Sequence, residues 1–207
     1  TYEHIDPSLI GNKRIIPMSN QAGKSNLLTR LNEAGLTVKR DDPRLNEILR
    51  QIKVKEDEGF SFDSAQASFE LLAHRILGSL PNYFEVKRYR VLMERRKNKY
   101  NDVVTLSEAT VALKIGNKKV LSVSESLDKD GSDRGPVNAL ARAISKDIGP
   151  YQIFIDDIKL VDFKVRITSG GVGAVTRVLI DSEDSTGLRW STVGVSANII
   201  DASYQAL

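Results

Sequence analysis

Gly135-Pro136-Val137-Asn138-Ala139-Leu140-Ala141-Arg142-Ala143-Ile144 returns some sixty residues later as Asn198-Ile199-Ile200-Asp201-Ala202-Ser203-Tyr204-Gln205-Ala206-Leu207. Aligned without a gap, Val137 meets Ile200, Asn138 meets Asp201, Ala139 meets Ala202, Ala143 meets Ala206 and Ile144 meets Leu207. Each segment follows runs in which apolar and polar residues alternate, the pattern of half-buried strands. A strands-then-helix unit used twice predicts a layered α+β fold with internal pseudo-symmetry. Pockets arise where two such halves, or two copies, meet. The repeat therefore points to ligand sensing or assembly before it points to catalysis.

Outward from the repeat, strands are predicted at about 83–94, 104–115 and 118–127, the last two joined by a tight Gly116-Asn117 hairpin. A polar loop leads to the first repeated helix. After Gly149-Pro150 the strand pattern resumes at about 157–168, 173–182 and 187–195, with turns at Gly170-Gly171 and Asp184-Ser185-Thr186-Gly187. Upstream of Leu80-Pro81-Asn82, three helices are expected. The first runs from about Gly23 to Ala34, with Gly35 as its C-terminal cap. The second starts at Asp42 as N-cap and Pro43 as first helical residue, then sets Leu45, Ile48, Leu49 and Ile52 on one stripe. The third begins near Asp63, with Gln66 closing a capping box, buries Phe69, Leu72, Ala73 and Ile76, and stops at Gly78. Residues 1–20 read as extended, with turn signals at Asp6-Pro7 and Gly11-Asn12 and a short strand at Arg14–Met18 ended by its proline. The expected organisation is a small helical linker subdomain over 1–80, followed over 81–207 by a tandem-repeat layered domain of two β-β-β-α units.

Composition bounds the rest. The 207 residues suffice for a sizeable core, and 41% hydrophobic with 28% charged residues is ordinary for a globular chain. No apolar run approaches the ~20 residues of a membrane helix, and no signal-peptide pattern is present. The absence of Cys excludes disulfides and thiolate chemistry, which fits a cytoplasmic location. The start at Thr1 and the stop at Leu207 inside a helical pattern carry the expectation of a piece of a longer protein. The net charge of +3 is uneven, with Lys87, Arg88, Arg90, Arg95, Arg96, Lys97 and Lys99 clustered in one segment. Phosphate contacts need such clusters, so a stand-alone nucleic-acid or protein-binding module using 87–99 is the alternative reading. The same residues alternate with Phe84, Val86, Tyr89, Val91 and Met93, as the solvated face of a strand does, and that reading is preferred.

Glycines approach both repeated helices, Gly131 and Gly135 before the first and Gly194 before the second. A helix N-terminus offers unpaired N–H groups to a carboxylate. Asn138 and Asp201 are placed to cap helices or to meet a ligand's amino group, and both charges together suit an α-amino acid. The plainer reading takes the glycines as loop residues and the Asn and Asp as caps. No paired carboxylate, Ser/His/Asp set or phosphate loop marks an independent enzyme, and Gly170-Gly171-Val172-Gly173 sits between strands as a turn. His4 and His74 belong to no motif and mark no metal site.

With these residues in hand, the chain resembles the C-terminal part of the 2-isopropylmalate synthase/homocitrate synthase family, closest to its citramalate synthases. The matching stretches are Gly135 to Ala139, Leu160 to Arg166 and Thr192 to Ser203, together with Thr1 to Pro7, Gly11-Asn12 and Ser19 to Asn26 near the start. The resemblance implies a parent acyltransferase condensing acetyl-CoA with a 2-oxo acid, using a divalent metal held in an upstream (β/α)8 barrel. It implies no cofactor and no catalytic residue here. This chain would be the linker plus the regulatory domain, a homodimer binding isoleucine or leucine as feedback inhibitor, with neither nucleic acid nor membrane as partner. Carried over by position, the effector pocket would use Pro136, Val137, Asn138, Ala139, Leu160, Phe163, Ile167, Ser196, Asn198 and Ile199. Gln21 stands where many isopropylmalate synthases carry a His, and Gln offers no proton transfer, which favours the citramalate-like subgroup.

Overall fold

Three helices come first in the computed structural model, which describes residues 7–11, 23–127, 135–168 and 174–207. They are α1 (Lys24–Glu33), α2 (Arg44–Asp57) and α3 (Gln66–Leu77). Their stripes meet in one core of Leu27, Leu31, Leu45, Ile48, Ile52, Phe62, Phe69 and Ala73. Each of these larger aliphatic or aromatic side chains contributes roughly 1.5–3 kcal/mol on burial. Gly35 and Gly78 are left-handed and end α1 and α3 as expected. Asp42 stands just outside α2, yet its carboxylate still accepts the Arg44 N–H at 2.9 Å. An ion pair with Arg44 holds this carboxyl low, at about 2.

Two expectations upstream differ from the structure. Pro7–Ile10 is a 3-10 turn rather than extended chain. The third helix begins at Gln66, not Asp63, and its N-cap, Ala65, carries no capping side chain. Phe62–Ser64 is a separate 3-10 turn, and Ala65, at φ −141 and ψ 68, lies outside the helical region and is buried against Val193 and Val195. The strand expected at Arg14–Met18, along with His4, Gln21, Gly131 and Gly170 to Gly173, lies outside the described residues.

The two repeats come next. β1 (Glu85–Lys97), β2 (Val103–Ile115) and β3 (Lys118–Leu127) form an antiparallel sheet in the order β1-β2-β3, and α4 (Gly135–Ser145) covers it. Gly116, at φ +57, takes the first central position of the β2–β3 hairpin. After a 3-10 turn at Gly149–Tyr151 and the short α5 (Gln152–Ile155), β4 (Lys159–Ile167), β5 (Thr176–Glu183) and β6 (Arg189–Ser196) repeat the topology, and α6 (Ile199–Ala206) closes it. The fold is thus α+β, as expected, with α5 as an addition. Its four residues, next to Gly149 and Pro150, are too few for a helical period to show in the sequence.

Alternation decides what each sheet buries. Ala109, Val111, Leu113 and Val120 meet Ala139, Leu140 and Ala143 of α4, and Val178 and Ile180 meet Ala202 and Ala206 of α6. The second sheet is covered on both sides at β6, because Val193 and Val195 turn away from α6 and pack on Ala65. Ser68 of α3 accepts the Val193 N–H at 2.9 Å, and Gln205 accepts the Val195 N–H at 3.1 Å, so two edge donors of β6 are satisfied. Among the described residues, no helix is long and apolar enough to cross a membrane.

Candidate functional site

The site is built from the equivalence of the two halves. In the repeat alignment the buried residues of α4, Ala139, Leu140 and Ala143, fall on the buried residues of α6, Ala202, Ser203 and Ala206. The first strands agree as well. Each slips register once against its middle strand, β1 between Val86 and Arg88 and β4 between Leu160 and Asp162. Matching these slips makes Val86 equivalent to Leu160, Tyr89 to Phe163, Val91 to Val165 and Met93 to Ile167. Tyr89 pairs with Val111 and Phe163 with Ile180, both buried, so the two rings emerge on the helix-covered faces.

The two halves then diverge. In the first, α6 crosses over to β1. Ile200 and Tyr204 pack against the first core, and the Tyr89 and Tyr204 rings lie 4.7 Å apart. The Tyr89 hydroxyl donates to Asp201 Oδ1 at 2.9 Å. Burial, and then this bond to a carboxylate, push the Tyr89 hydroxyl up to about 12. Burial and the Asp201 charge also raise Tyr204. In the second half, Phe163 is the sole partly buried hydrophobic side chain that joins the core of Val178, Ile180, Ala202 and Ala206 among the described residues. Its strand neighbours stay open to solvent, Leu160 at 46%, Val165 at 40% and Ile167 at 71%. At the positions of Ile200, Asp201 and Tyr204, α4 carries Val137, Asn138 and Ala141.

The ten residues expected to line an effector pocket occupy three places. Pro136, Val137 and Asn138 are half-buried in the first turn of α4, whereas Ala139 is fully buried beneath it. Leu160, Phe163 and Ile167 lie along β4. Ser196, Asn198 and Ile199 form the corner between β6 and α6. There the Ser196 hydroxyl accepts the Asn198 N–H at 3.1 Å, and Ile199 is exposed. Asn198 is the cap of α6, accepting from Ile200 N–H at 2.8 Å and Asp201 N–H at 3.4 Å. Two local roles therefore change. Asp201 does not cap α6, since its carboxylate receives Tyr89. Gly194 does not open a helix for an anion: it lies in β6 directly beneath α6, where a Cβ would fall inside the shell of the Ala202 carbonyl oxygen and 2.8 Å from Ala206 N.

Sequence reasoning passes over Tyr89, Val165, Ala141 and Tyr204. In the sequence Tyr89 is one more residue of an alternating strand, and pairing it with Phe163 requires the register slips, which only the sheets display. The basic segment lies on β1, where Lys87 pairs with Glu85 at 2.6 Å and Arg90 and Arg96 approach Glu108 and Glu94. Such exposed pairs contribute little to stability and mark a solvated strand face. Two shallow clefts lie elsewhere. One, of 570 Å³, sets Trp190 and Phe154 beside Asp156, Asp157 and Asp184, carboxylates that would repel the carboxylate of an amino acid. The other, of 770 Å³, runs between β3, α4 and Gln152. None of the ten residues lines either cleft.

Comparison with known proteins adds a family to this geometry. The family described as the LeuA allosteric (dimerisation) domain matches residues 63–207, starting where Ala65 and α3 enter the core of the second sheet. The chain is 42% identical to an (R)-citramalate synthase of Geobacter sulfurreducens and 43% identical to one of Aquifex aeolicus, over its whole length and 38% of theirs. It is 28% identical to a 2-isopropylmalate synthase of Methanocaldococcus jannaschii, over its whole length and 36% of that protein. The chain thus spans under two-fifths of the length of these relatives.

Proposed function

The chain belongs to the LeuA allosteric (dimerisation) domain family, and from that premise we propose that it is the regulatory, dimerising part of a citramalate synthase- or 2-isopropylmalate synthase-type acyltransferase. In this reading it binds a branched-chain amino acid, isoleucine or leucine, and mediates feedback inhibition of branched-chain amino acid biosynthesis in the cytoplasm. The observation that carries the reading is the open apolar face of β4, where Leu160 and Ile167 stay exposed beside the partly buried Phe163. An aliphatic side chain laid on that face gains roughly 1.5–3 kcal/mol from burial. Asn138, in the half-buried first turn of α4, carries an amide oxygen that can accept from an ammonium group, and that turn offers main-chain N–H groups to a carboxylate. A second copy would complete the enclosure, since β4 is an edge strand and its face is uncovered within one chain.

The parent's condensation of acetyl-CoA with a 2-oxo acid would take place in a barrel outside this chain, which would hold the divalent metal. Among the described residues, no three His, Asp or Glu side chains gather into a metal-holding group.

Isothermal titration of the chain with isoleucine and with leucine tests the reading, alongside light scattering for a particle of twice the 23.0 kDa chain mass. Saturable heat with one of the two ligands is expected. Leu160→Ala should weaken it about tenfold, the effect of losing methylenes from an apolar contact. Absence of heat and of any thermal shift with both amino acids would overturn it.

A further inference from the structure

We propose that Arg166 and Arg177 form a binding site for an oxyanion, a phosphate or carboxylate group that the two guanidinium groups share, at the seam between the linker helices and the second sheet. The two arginines are cross-strand partners on β4 and β5, and Val195 of β6 completes their row. Val195 packs on Ala65, so the row lies on the face turned toward the linker rather than toward α6. The linker reaches this row at Gly59. The Gly59 carbonyl accepts from Arg177 Nε, and a Cβ on Gly59 would lie 3.3 Å from Thr168 Oγ1 and 3.5 Å from Val195 Cγ1. Arg177 is half-buried at this contact, and Arg166 is exposed.

Like charges directly opposite one another on a sheet are destabilising. Burial, and then the Arg166 charge, lower the pKa of the Arg177 guanidinium. The carboxylates of the same sheet face are engaged elsewhere. Asp162 and Asp181 hold Lys164 at 2.8 and 3.0 Å, Asp181 also accepts from the Ser191 hydroxyl, and Glu183 holds Arg189 at 2.6 Å. On the linker side, Glu58 pairs with Lys55 at 2.8 Å. Among the described residues, neither Arg166 nor Arg177 has a carboxylate partner, and residues 169–173 carry no acidic side chain. Arg177 gives Nε to Gly59, which leaves its terminal N–H groups and the Arg166 fork for a ligand. Guanidinium forks match the paired oxygens of phosphate and carboxylate. Two forks on one such group offset the repulsion that the row carries. Because Arg177 also holds Gly59, an occupant would tie the edge strand β4, its neighbour β5 and the linker together.

Thermal melts of the full 207-residue chain in sodium phosphate and in sodium succinate, each against sodium chloride at matched pH and ionic strength, test the site. Wild type should show a saturable rise in Tm with at least one of the two, and isothermal titration should return saturable heat with the same anion. A response to phosphate alone assigns a phosphate ligand, a response to succinate alone assigns a carboxylate, and a response to both supports a site for the chemistry they share. Arg166→Gln removes one fork at an exposed position. It should weaken binding about tenfold or more, the effect of losing a charge-assisted bond. In chloride it should melt no lower than wild type, because a repulsion is gone. No rise beyond chloride with either anion would overturn the proposal. An equal response in Arg166→Gln would also overturn it, by marking a general salt effect, as would a variant that melts lower in chloride. These outcomes are independent of whether isoleucine or leucine binds, so the effector reading can fail without this proposal.

Discussion

Replacing Gly194 by alanine should damage the second half of the molecule more than its small size suggests. The added methyl would meet the Ala202 carbonyl oxygen and approach Ala206 N at 2.8 Å, and neither atom belongs to a side chain that can rotate away. The helix must move. Eight residues of α6 span about 12 Å. Lifting that length by ~1 Å over a width of ~8–10 Å opens ~100 Å³, which at ~24 cal/mol per Å³ corresponds to ~2.4 kcal/mol. Two bonds tied to the close approach would lengthen with it, Thr192 Oγ1 to the Ala206 carbonyl and Val195 N–H to Gln205, each contributing ~1 kcal/mol. Removing a glycine restricts the unfolded chain and returns ~0.4–1 kcal/mol. The net expectation is a loss of ~2–4 kcal/mol, or roughly 5–15 °C in Tm for a chain of this size. Urea unfolding of wild type and Gly194→Ala, with hydrogen exchange to locate the weakened amides, measures it. Faster exchange should concentrate in β5, β6 and α6. A loss below ~0.5 kcal/mol would show that α6 does not rest on Gly194 and would refute the packing argument.

Two further outcomes concern the same region. Asn198→Ala removes the acceptor of two N–H groups at the start of α6 and should cost ~1 kcal/mol in urea unfolding, whereas Asn198→Asp should restore most of it. Tyr89→Phe deletes the bond to Asp201 at a loss of ~1 kcal/mol near neutral pH. Its pH signature has a defined sign. The Tyr89 hydroxyl is raised to about 12 in the folded chain, against ~10 in an unfolded one, so folding favours the protonated phenol. That contribution is fully present below pH ~10 and is lost as pH rises through about 12. Wild type should therefore lose stability faster than Tyr89→Phe across that window, and parallel curves would contradict the assignment.

Much of this architecture is legible in the chain. Local signals are strong wherever one face is buried and the other wet. The stripe of Leu45, Ile48 and Ile52, the left-handed glycines 35 and 78, the Gly116 hairpin and the span of β3 all read correctly. The start of α3 does not, because Ala65 answers to Val193 and Val195, more than a hundred residues away. Gly194 reads as a helix-approach residue because a sequence displays a glycine's neighbours along the chain and hides the helix packed above it. The candidate site is partly visible. Leu160, Phe163 and Ile167 alternate as strand residues must, but nothing local separates a strand face covered by a helix from one left open.

By itself the sequence determined the duplication. Matched segments with the same buried positions must fold to the same unit, since the periods of helix and strand set which side chains share a face. It also determined membership of the family, through motifs spread along the chain. Only the tertiary structure decided that the two units are not packed alike, with Tyr204 against Tyr89 of the first and Leu160 and Ile167 exposed in the second. Whether a tyrosine ring or open space lies beside the first strand of each unit depends on which helix crosses to it and on the length of the side chain there. That is a contact between residues more than a hundred positions apart, as between Tyr89 and Asp201, and no local period encodes it.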